Sequence, residues 1–215
     1  MSGAGGVKPV AAVLAGGRSR RFRADSAATP KALAPLKGKP LIAHVVGRLA
    51  GQAGPLLLSV QVVDERLAFL GLEQVPDAER RQRGPLAGLC SAMRHVLAHG
   101  LGEWLLLAPC DAPFLPPDLA ARLHAAARAS GRPVSVAHYG DFLQPTFSLW
   151  HRQVFADVER MLAEQGGGGL RHMVERLPHA SVDWPQRLPP PFFNVNTPGD
   201  LRQAEDLLDG AGTAD

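Results

Sequence analysis

The sequence predicts an α/β fold, a mainly parallel sheet covered by helices on both faces and so built in three layers. Three observations predict it. Strand-like and helix-like segments alternate along nearly the whole chain. Several strand segments, such as VAAVL and WLLLA, are unbroken apolar runs, as expected of strands buried on both faces. At 215 residues with 46% hydrophobic composition, the chain can fill one complete core.

Val10–Leu14 reads as the first strand and ends abruptly at Gly16-Gly17. Leu41–Leu49 carries apolar residues at helical spacing. Pro55–Val63 is a continuous apolar run and reads as a buried strand. Glu65–Leu70 follows as a short helix, then Leu72–Val75 as a short strand before Asp77. Gly84-Pro85 signals the start of a helix that runs to His99. Trp104–Ala108 is another buried strand, ending at Pro109-Cys110-Asp111. Pro116-Pro117-Asp118 opens a helix to Ala129.

Val134–His138 and Pro145–Leu149 read as strands paired around a turn at Gly140-Asp141. Val154–Glu164 is helical and closed by the glycine tract Gly166–Gly169. Leu170–Glu175 is a short helix and Ala180–Trp184 a strand. Beyond Pro189-Pro190-Pro191, Asn194–Asn196 is expected to end a strand. Thr197-Pro198-Gly199-Asp200 then caps a last helix to Leu208. One domain is expected over residues 10–208, between a disordered segment 1–9 and a frayed tail 209–215.

Lys+Arg number 23 against Asp+Glu 20, a net charge of only +3. That balance is too even for bulk affinity to nucleic acid, so any basic site must be local. Cys90 and Cys110 fit no zinc spacing and read as buried small residues in a reducing compartment. The histidines show no ligand spacing. MSGAGGVKPV has no long apolar run, so no signal peptide is expected, and no run approaches the roughly 20 apolar residues of a membrane helix. A cytoplasmic protein without membrane or nucleic-acid partners is expected.

Chemistry concentrates where strands empty into loops. After Gly16-Gly17 come Arg18, Arg20, Arg21, Arg23 and Lys31, with little that is apolar between them. Glycines let a backbone approach an anion, and guanidinium or ammonium groups neutralise it, so this loop suits a polyphosphate. A plain turn with solvated arginines has the same spelling. Asp111 follows a buried strand and is placed to hold Mg²⁺, a hard cation that takes oxygen ligands, or to cap the next turn. Asp77 ends a short strand, as a nucleoside contact or an ordinary loop residue. Asn194 and Asn196 alternate along the chain and could face one polar ligand, or serve in the helix start. Ligands of such sheets bind beyond the carboxyl ends of the strands, where Gly16, Asp77 and Asp111 would all lie.

Taken together these motifs resemble the molybdenum cofactor guanylyltransferases, nucleotidyltransferases of Rossmann-like fold. The matching stretches are LAGG (Leu14–Gly17), Arg20-Arg21, GKPLIAHV (Gly38–Val45), Gly71 to Asp77 and GPLAG (Gly84–Gly88). PCDAPF (Pro109–Phe114), QPTFSL (Gln144–Leu149) and NVNTPGDL (Asn194–Leu201) follow, so the resemblance runs from about Val10 to Ala204. The family has Met-Gly after the arginine pair, where Phe22-Arg23 stands here, and Lys31 follows an insertion, Ala24–Thr29. Ser59 and Gln61 stand near the family's Asn-x-Asn.

The resemblance implies transfer of GMP from GTP to molybdopterin, with release of pyrophosphate. It implies that Leu14, Ala15, Gly16 and Gly17 hold the nucleotide through their backbone. Lys31 and Arg21 would pair with phosphate, Asp77 would contact the nucleoside, Asp111 would hold Mg²⁺, and Asn194 and Asn196 would border molybdopterin. Lys31, Arg21 and Asp111 are thus the expected catalytic set. Contact with proteins that deliver molybdopterin, and with molybdoenzymes, would follow. Rival readings are a molybdopterin cytidylyltransferase, a sugar-phosphate nucleotidyltransferase, and a nucleotide-binding carrier of the cofactor without catalysis.

Overall fold

The computed structural model describes residues 8–16, 30–78, 84–164 and 169–211. In chain order the strands begin with β1 (Val10–Leu14), then a small hairpin of β2 (Pro35–Leu36) and β3 (Lys39–Pro40). Helix α1 (Leu41–Leu49), β4 (Leu56–Val60), β5 (Glu73–Pro76), α2 (Pro85–Ala98) and β6 (Trp104–Pro109) follow. Then come α3 (Leu119–Ser130), β7 (Val134–Tyr139), β8 (Phe142–His151), α4 (Phe155–Ala163), α5 (Leu170–Arg176), β9 (His179–Asp183) and α6 (Pro198–Ala211). Short 3-10 turns occupy Lys31–Leu33, Glu65–Leu70 and Arg152–Val154.

One seven-stranded sheet has the order β5-β4-β1-β6-β8-β7-β9. Every neighbouring pair is parallel except those made by β8, which runs antiparallel to β6 and to β7. The expected mainly parallel α/β architecture is therefore what the chain forms.

The apolar run of β1 divides by alternation. Val10 and Ala12 face one core with α2, α4 and α5, where Leu89, Met161 and Val174 are buried. Ala11 and Val13 face the other core, with Ile42 of α1 and Leu119 and Leu123 of α3. Both faces are covered, which is why the strand tolerates no polar residue. A third cluster packs Ala204 of α6 with Leu36, Leu41, Phe114 and Val195, and ties the last helix to the hairpin after Lys31.

Helix starts follow local chemistry. Gly84 takes φ +63°, which a side chain resists, and Pro85 at the first position of α2 has a ring pre-set for a helix. Asp118 stands before α3 but makes no side-chain cap; its Oδ1 accepts from Trp184 Nε1 at 3.2 Å instead.

Several expected boundaries move. β4 ends at Val60, because its partner β1 ends opposite Ser59 and leaves Gln61, Val62 and Val63 without a strand beside them. Val62 and Val63 are accordingly exposed. Pro9, placed at the end of the expected disordered segment, is buried, and its carbonyl accepts from the Gly54 N–H at 2.9 Å. α6 continues to Ala211 rather than stopping at Leu208. Asn194–Asn196 is not a strand: the prolines before it lack N–H groups, and of its own N–H groups only that of Val195 donates to another backbone carbonyl, Asp111 O at 2.9 Å.

Candidate active site

From β1 the chain moves to β4 and then β5 on one flank, and later returns to β6 on the other. Leu14 and Pro109 are register partners at that reversal. Beyond their carboxyl ends opens a cavity of about 510 Å³, within the range of about 300–1,000 Å³ usual for small-molecule sites. Leu14, Ala15, Gly16, Lys31, Asp77, Asp111, Asn194 and Asn196 all line it. The sequence-derived candidates among the described residues therefore converge on one place. Gly17 and Arg21 lie outside the described residues.

The walls are set by backbone. Ala15 N–H donates to Ser59 O at 2.8 Å, and Cys110 N–H donates to Leu14 O at 3.2 Å, so Ala15 and Gly16 leave β1 between its two neighbours. A Cβ on Gly16 would come within 3.0 Å of the Gln61 backbone nitrogen. On Gly88 it would stand 2.5 Å from Ser59 Oγ and 2.7 Å from Leu14 Cδ2. Both glycines are sites of close approach, and they keep the floor of the cavity thin.

At the centre, the Lys31 ammonium pairs with Asp111 Oδ2 and donates to Asn196 Oδ1 at 2.8 Å. Lys31 arrives from the turn after Pro30, Asp111 from the end of β6, and Asn196 from the segment before α6. The other Asp111 oxygen, Oδ1, is buried without a hydrogen-bond partner among the described residues, and so is Asn194 Oδ1. An unsatisfied buried acceptor costs about 1–3 kcal/mol, so a ligand that satisfies these oxygens recovers it. Hard oxygen donors beside one carboxylate fit a magnesium ion that keeps water and phosphate ligands. Among the described residues there is no cluster of three or more His, Cys, Asp or Glu to enclose a metal in protein.

Asp77 lies on the β4–β5 side, its N–H donating to Val60 O at 2.8 Å. Burial pushes its carboxyl up to about 6, and its Oδ1 has no partner among the described residues. Burial also pushes the Cys110 thiol up to about 12, with the neighbouring Asp111 charge adding to it. Cys110 is thus a thiol in the wall and not a nucleophile.

Ser59, Gln61, Thr146 and Cys110 are among the lining residues that carried no role in the site on sequence alone. Thr146 is the one that no spacing could place. β8 and β7 lose register between Val136 and Ala137, where Val136 pairs with Ser148 and Ala137 with Gln144. The bulge lies at Pro145–Phe147, and Ser148 Oγ donates back to Pro145 O at 2.6 Å. Bulges of this kind re-aim side chains next to active sites, and the pattern of apolar residues does not announce them.

A mainly parallel sheet with its cavity at the strand reversal, lined by a close-approach glycine, a lysine and two aspartates, is the Rossmann-like arrangement of the nucleotidyltransferase fold. Solved structures agree on the fold. The molybdopterin-guanine dinucleotide biosynthesis protein A of Archaeoglobus fulgidus superposes with TM-score 0.74 at 24% identity, covering 94% of this chain and 99% of its own. A CMP:2-keto-3-deoxy-manno-octonic acid synthetase complexed with CTP matches with TM-score 0.67 at 13% identity, covering 95% and 99%.

Sequence comparison narrows the class. The MobA-like NTP transferase domain matches residues 11–181. The molybdenum cofactor guanylyltransferase of Rhodopseudomonas palustris strain BisB5 is 36% identical over 196 residues, 91% of each chain. That of Rhizobium meliloti strain 1021 is 35% identical over 207 residues, 93% and 92% of the two chains. The chain belongs to the MobA-like NTP transferase family, with the molybdenum cofactor guanylyltransferases. Among the described residues, no helix is long and apolar enough to cross a membrane.

Proposed function

We propose that this nucleotidyltransferase transfers GMP from GTP to the molybdopterin cofactor, releasing pyrophosphate and forming molybdopterin guanine dinucleotide. The observation that carries the reading is that Asp77 and the Lys31–Asp111 pair line one cavity, on either side of Gly16. The names of the relatives support the same pair of substrates.

Ionised Asp77 is an acceptor only, and guanine offers N1–H and N2–H donors on one edge. Cytosine presents the acceptors O2 and N3 beside its single amino donor, so the same carboxylate disfavours it. Gly16 lets the phosphates approach the backbone, and Lys31 carries positive charge to the β- and γ-phosphates. A phosphate oxygen of molybdopterin then forms the new bond to the α-phosphorus. The bond from that phosphorus to the bridging oxygen breaks, and its electron pair leaves with pyrophosphate.

The attacking oxygen is already anionic, so no strong general base is needed. Positioning and charge neutralisation do the work. Asp111 and Asn194 would hold Mg²⁺, which when bound supplies a template and Lewis acid for phosphate oxygens. Asn194, Asn196 and Thr146 border the acceptor half, across Asp111 from Asp77.

The test is pyrophosphate release by the purified chain with Mg²⁺, molybdopterin and each of GTP, CTP and UTP in turn. Release with GTP above the others is expected, and chelation of the metal should stop it. Preference for CTP, or release with a sugar phosphate in place of molybdopterin, overturns the substrate assignment. Tight GTP binding without any release would make the chain a carrier.

A further inference from the structure

We propose that Asp200 is a positioning residue for the reaction: through Asn196 it holds the Lys31 ammonium in place for the phosphates. The proposal rests on the reading above, that Lys31 serves phosphate. Asp200 does not line the cavity, and its carboxylate meets the site only through the Asn196 backbone. It works through a short relay of hydrogen bonds. One oxygen, Oδ2, accepts from the Asn196 N–H at 2.8 Å and from the Thr197 N–H at 2.9 Å. The Asp200 N–H in turn donates to Thr197 Oγ1 at 3.1 Å.

The Thr197–Asp200 half of this pattern is a capping box, which satisfies donors at the start of α6. The bond to Asn196 is not required by that box. It reaches one residue further back, to the residue whose side-chain Oδ1 receives Lys31 Nζ at 2.8 Å. Asn196 is fixed on the other side too, because its neighbour Val195 donates to Asp111 O at 2.9 Å. The residue that receives the lysine is thus anchored from α6 by Asp200 and from β6 by Asp111. Lys31 itself sits on a three-residue 3-10 turn with no side-chain cap, so its own element does little to aim it.

A second tie fixes the same segment at the other end of the helix. Lys37 Nζ donates to Asp209 at 2.7 Å, in an exposed pair. The two ties involve different lysines and opposite ends of α6, which supplies an internal control.

The experiment follows the Nζ signals of the four lysines by NMR of the full chain labelled with ¹⁵N-lysine. Asp200→Ala should shift the Lys31 signal and speed its hydrogen exchange, leaving Lys37 unmoved. Asp209→Ala should do the reverse. Thr197→Ala, which weakens the helix cap but keeps the carboxylate, should lower the unfolding temperature without moving Lys31. If Asp200→Ala does not fold, Asp200→Ser removes the same acceptor and must shift the same signal.

In binding, Asp200→Ala should weaken GTP roughly tenfold, as loss of a supporting partner around a site does. In a Lys31→Met background it should have no further effect on binding, while its cost in stability remains. A Lys31 signal that ignores Asp200→Ala in a chain that binds GTP overturns the inference alone, as do independent, multiplying effects on binding. A signal that responds in a chain that fails to bind GTP overturns the substrate reading and leaves the positioning intact.

Discussion

Lys31 and Asp111, far apart in sequence, form an ion pair at the mouth of the strand reversal, each side chain only 13–14% exposed. Two opposite charges held this far from water must satisfy each other until a ligand separates them. The arrangement pre-places a cation beside the carboxylate, on the wall where Gly16 lets backbone come close.

Breaking that pair from one side should be costly. Exposed ion pairs are worth about 0–1 kcal/mol, and a fully buried pair loses about 3–5 kcal/mol when one partner is removed. Lys31→Met should therefore lower stability by about 1–3 kcal/mol, between those limits, readable in urea unfolding. It should also weaken GTP binding in titration calorimetry. Asp111→Asn keeps the shape and should lower turnover by about 10²–10³ with the far-UV spectrum unchanged. Parental turnover in Asp111→Asn would remove the carboxylate from the reaction.

Asp77 gives a pH dependence with a definite sign. Its carboxyl ionises near 3.8 when unfolded and at about 6 in the folded protein, because burial disfavours the charge. Between those values the folded state binds the extra proton. The stabilising contribution is full below about pH 4 and is lost as pH rises through about 6. GTP binding should run the other way, since only the ionised form accepts both guanine donors, so affinity should rise from about pH 5 and level off above about pH 7. Asp77→Asn should flatten both profiles. Binding that does not change between those pH values would separate Asp77 from the base.

Gly88 tests the floor of the cavity. An added methyl would meet Ser59 Oγ and Leu14 Cδ2 well inside contact distance. Both are side-chain ends, and Leu14 lines the cavity, so the route of relief is for Leu14 to swing into ligand space. Gly88→Ala should cost about 1–3 kcal/mol, as overpacking does, and weaken GTP binding. Adding Ser59→Ala removes one of the two clashes and should restore part of the loss in a double-mutant cycle. Strict additivity would mean that the two residues do not share the space.

The elements legible in the sequence are those whose cause is local. VAAVL and WLLLA are unbroken apolar runs that read as buried strands, and Pro85 after Gly84 reads as a helix start. Leu14–Gly16, Asp77 and Asp111 could be gathered in advance because parallel strands end on one edge of the sheet. What stayed hidden depends on partners distant in sequence. β4 stops at Val60 because β1 runs out, which nothing in SVQVV records. Thr146 reaches the cavity through a bulge decided by β7. Asp200 reads as a helix cap, and its second bond, to the residue that receives Lys31, exists only once α6 has docked.

Phe192 carries the last prediction, because it anchors the segment that delivers both asparagines. Its ring lies edge-on to Phe147 at 4.8 Å, Trp184 at 5.4 Å and Tyr139 at 5.7 Å. Pro189-Pro190-Pro191 before it can donate no hydrogen bonds, so this aromatic cluster anchors the start of the segment, ahead of the bonds made by Val195 and Asn196. Phe192→Ala should cost about 3–5 kcal/mol, as large-to-small changes of buried aromatics do. Phe192→Leu should recover much of that by refilling the space. The loss of activity should fall on molybdopterin through both asparagines and to a smaller extent on GTP, which feels only the Asn196–Lys31 contact while Asp77 is held by Val60 on the far side of β1. Steady-state kinetics with each substrate varied in turn reads the difference. An equal rise in KM for both substrates would mean that the segment supports the whole cavity rather than its acceptor half.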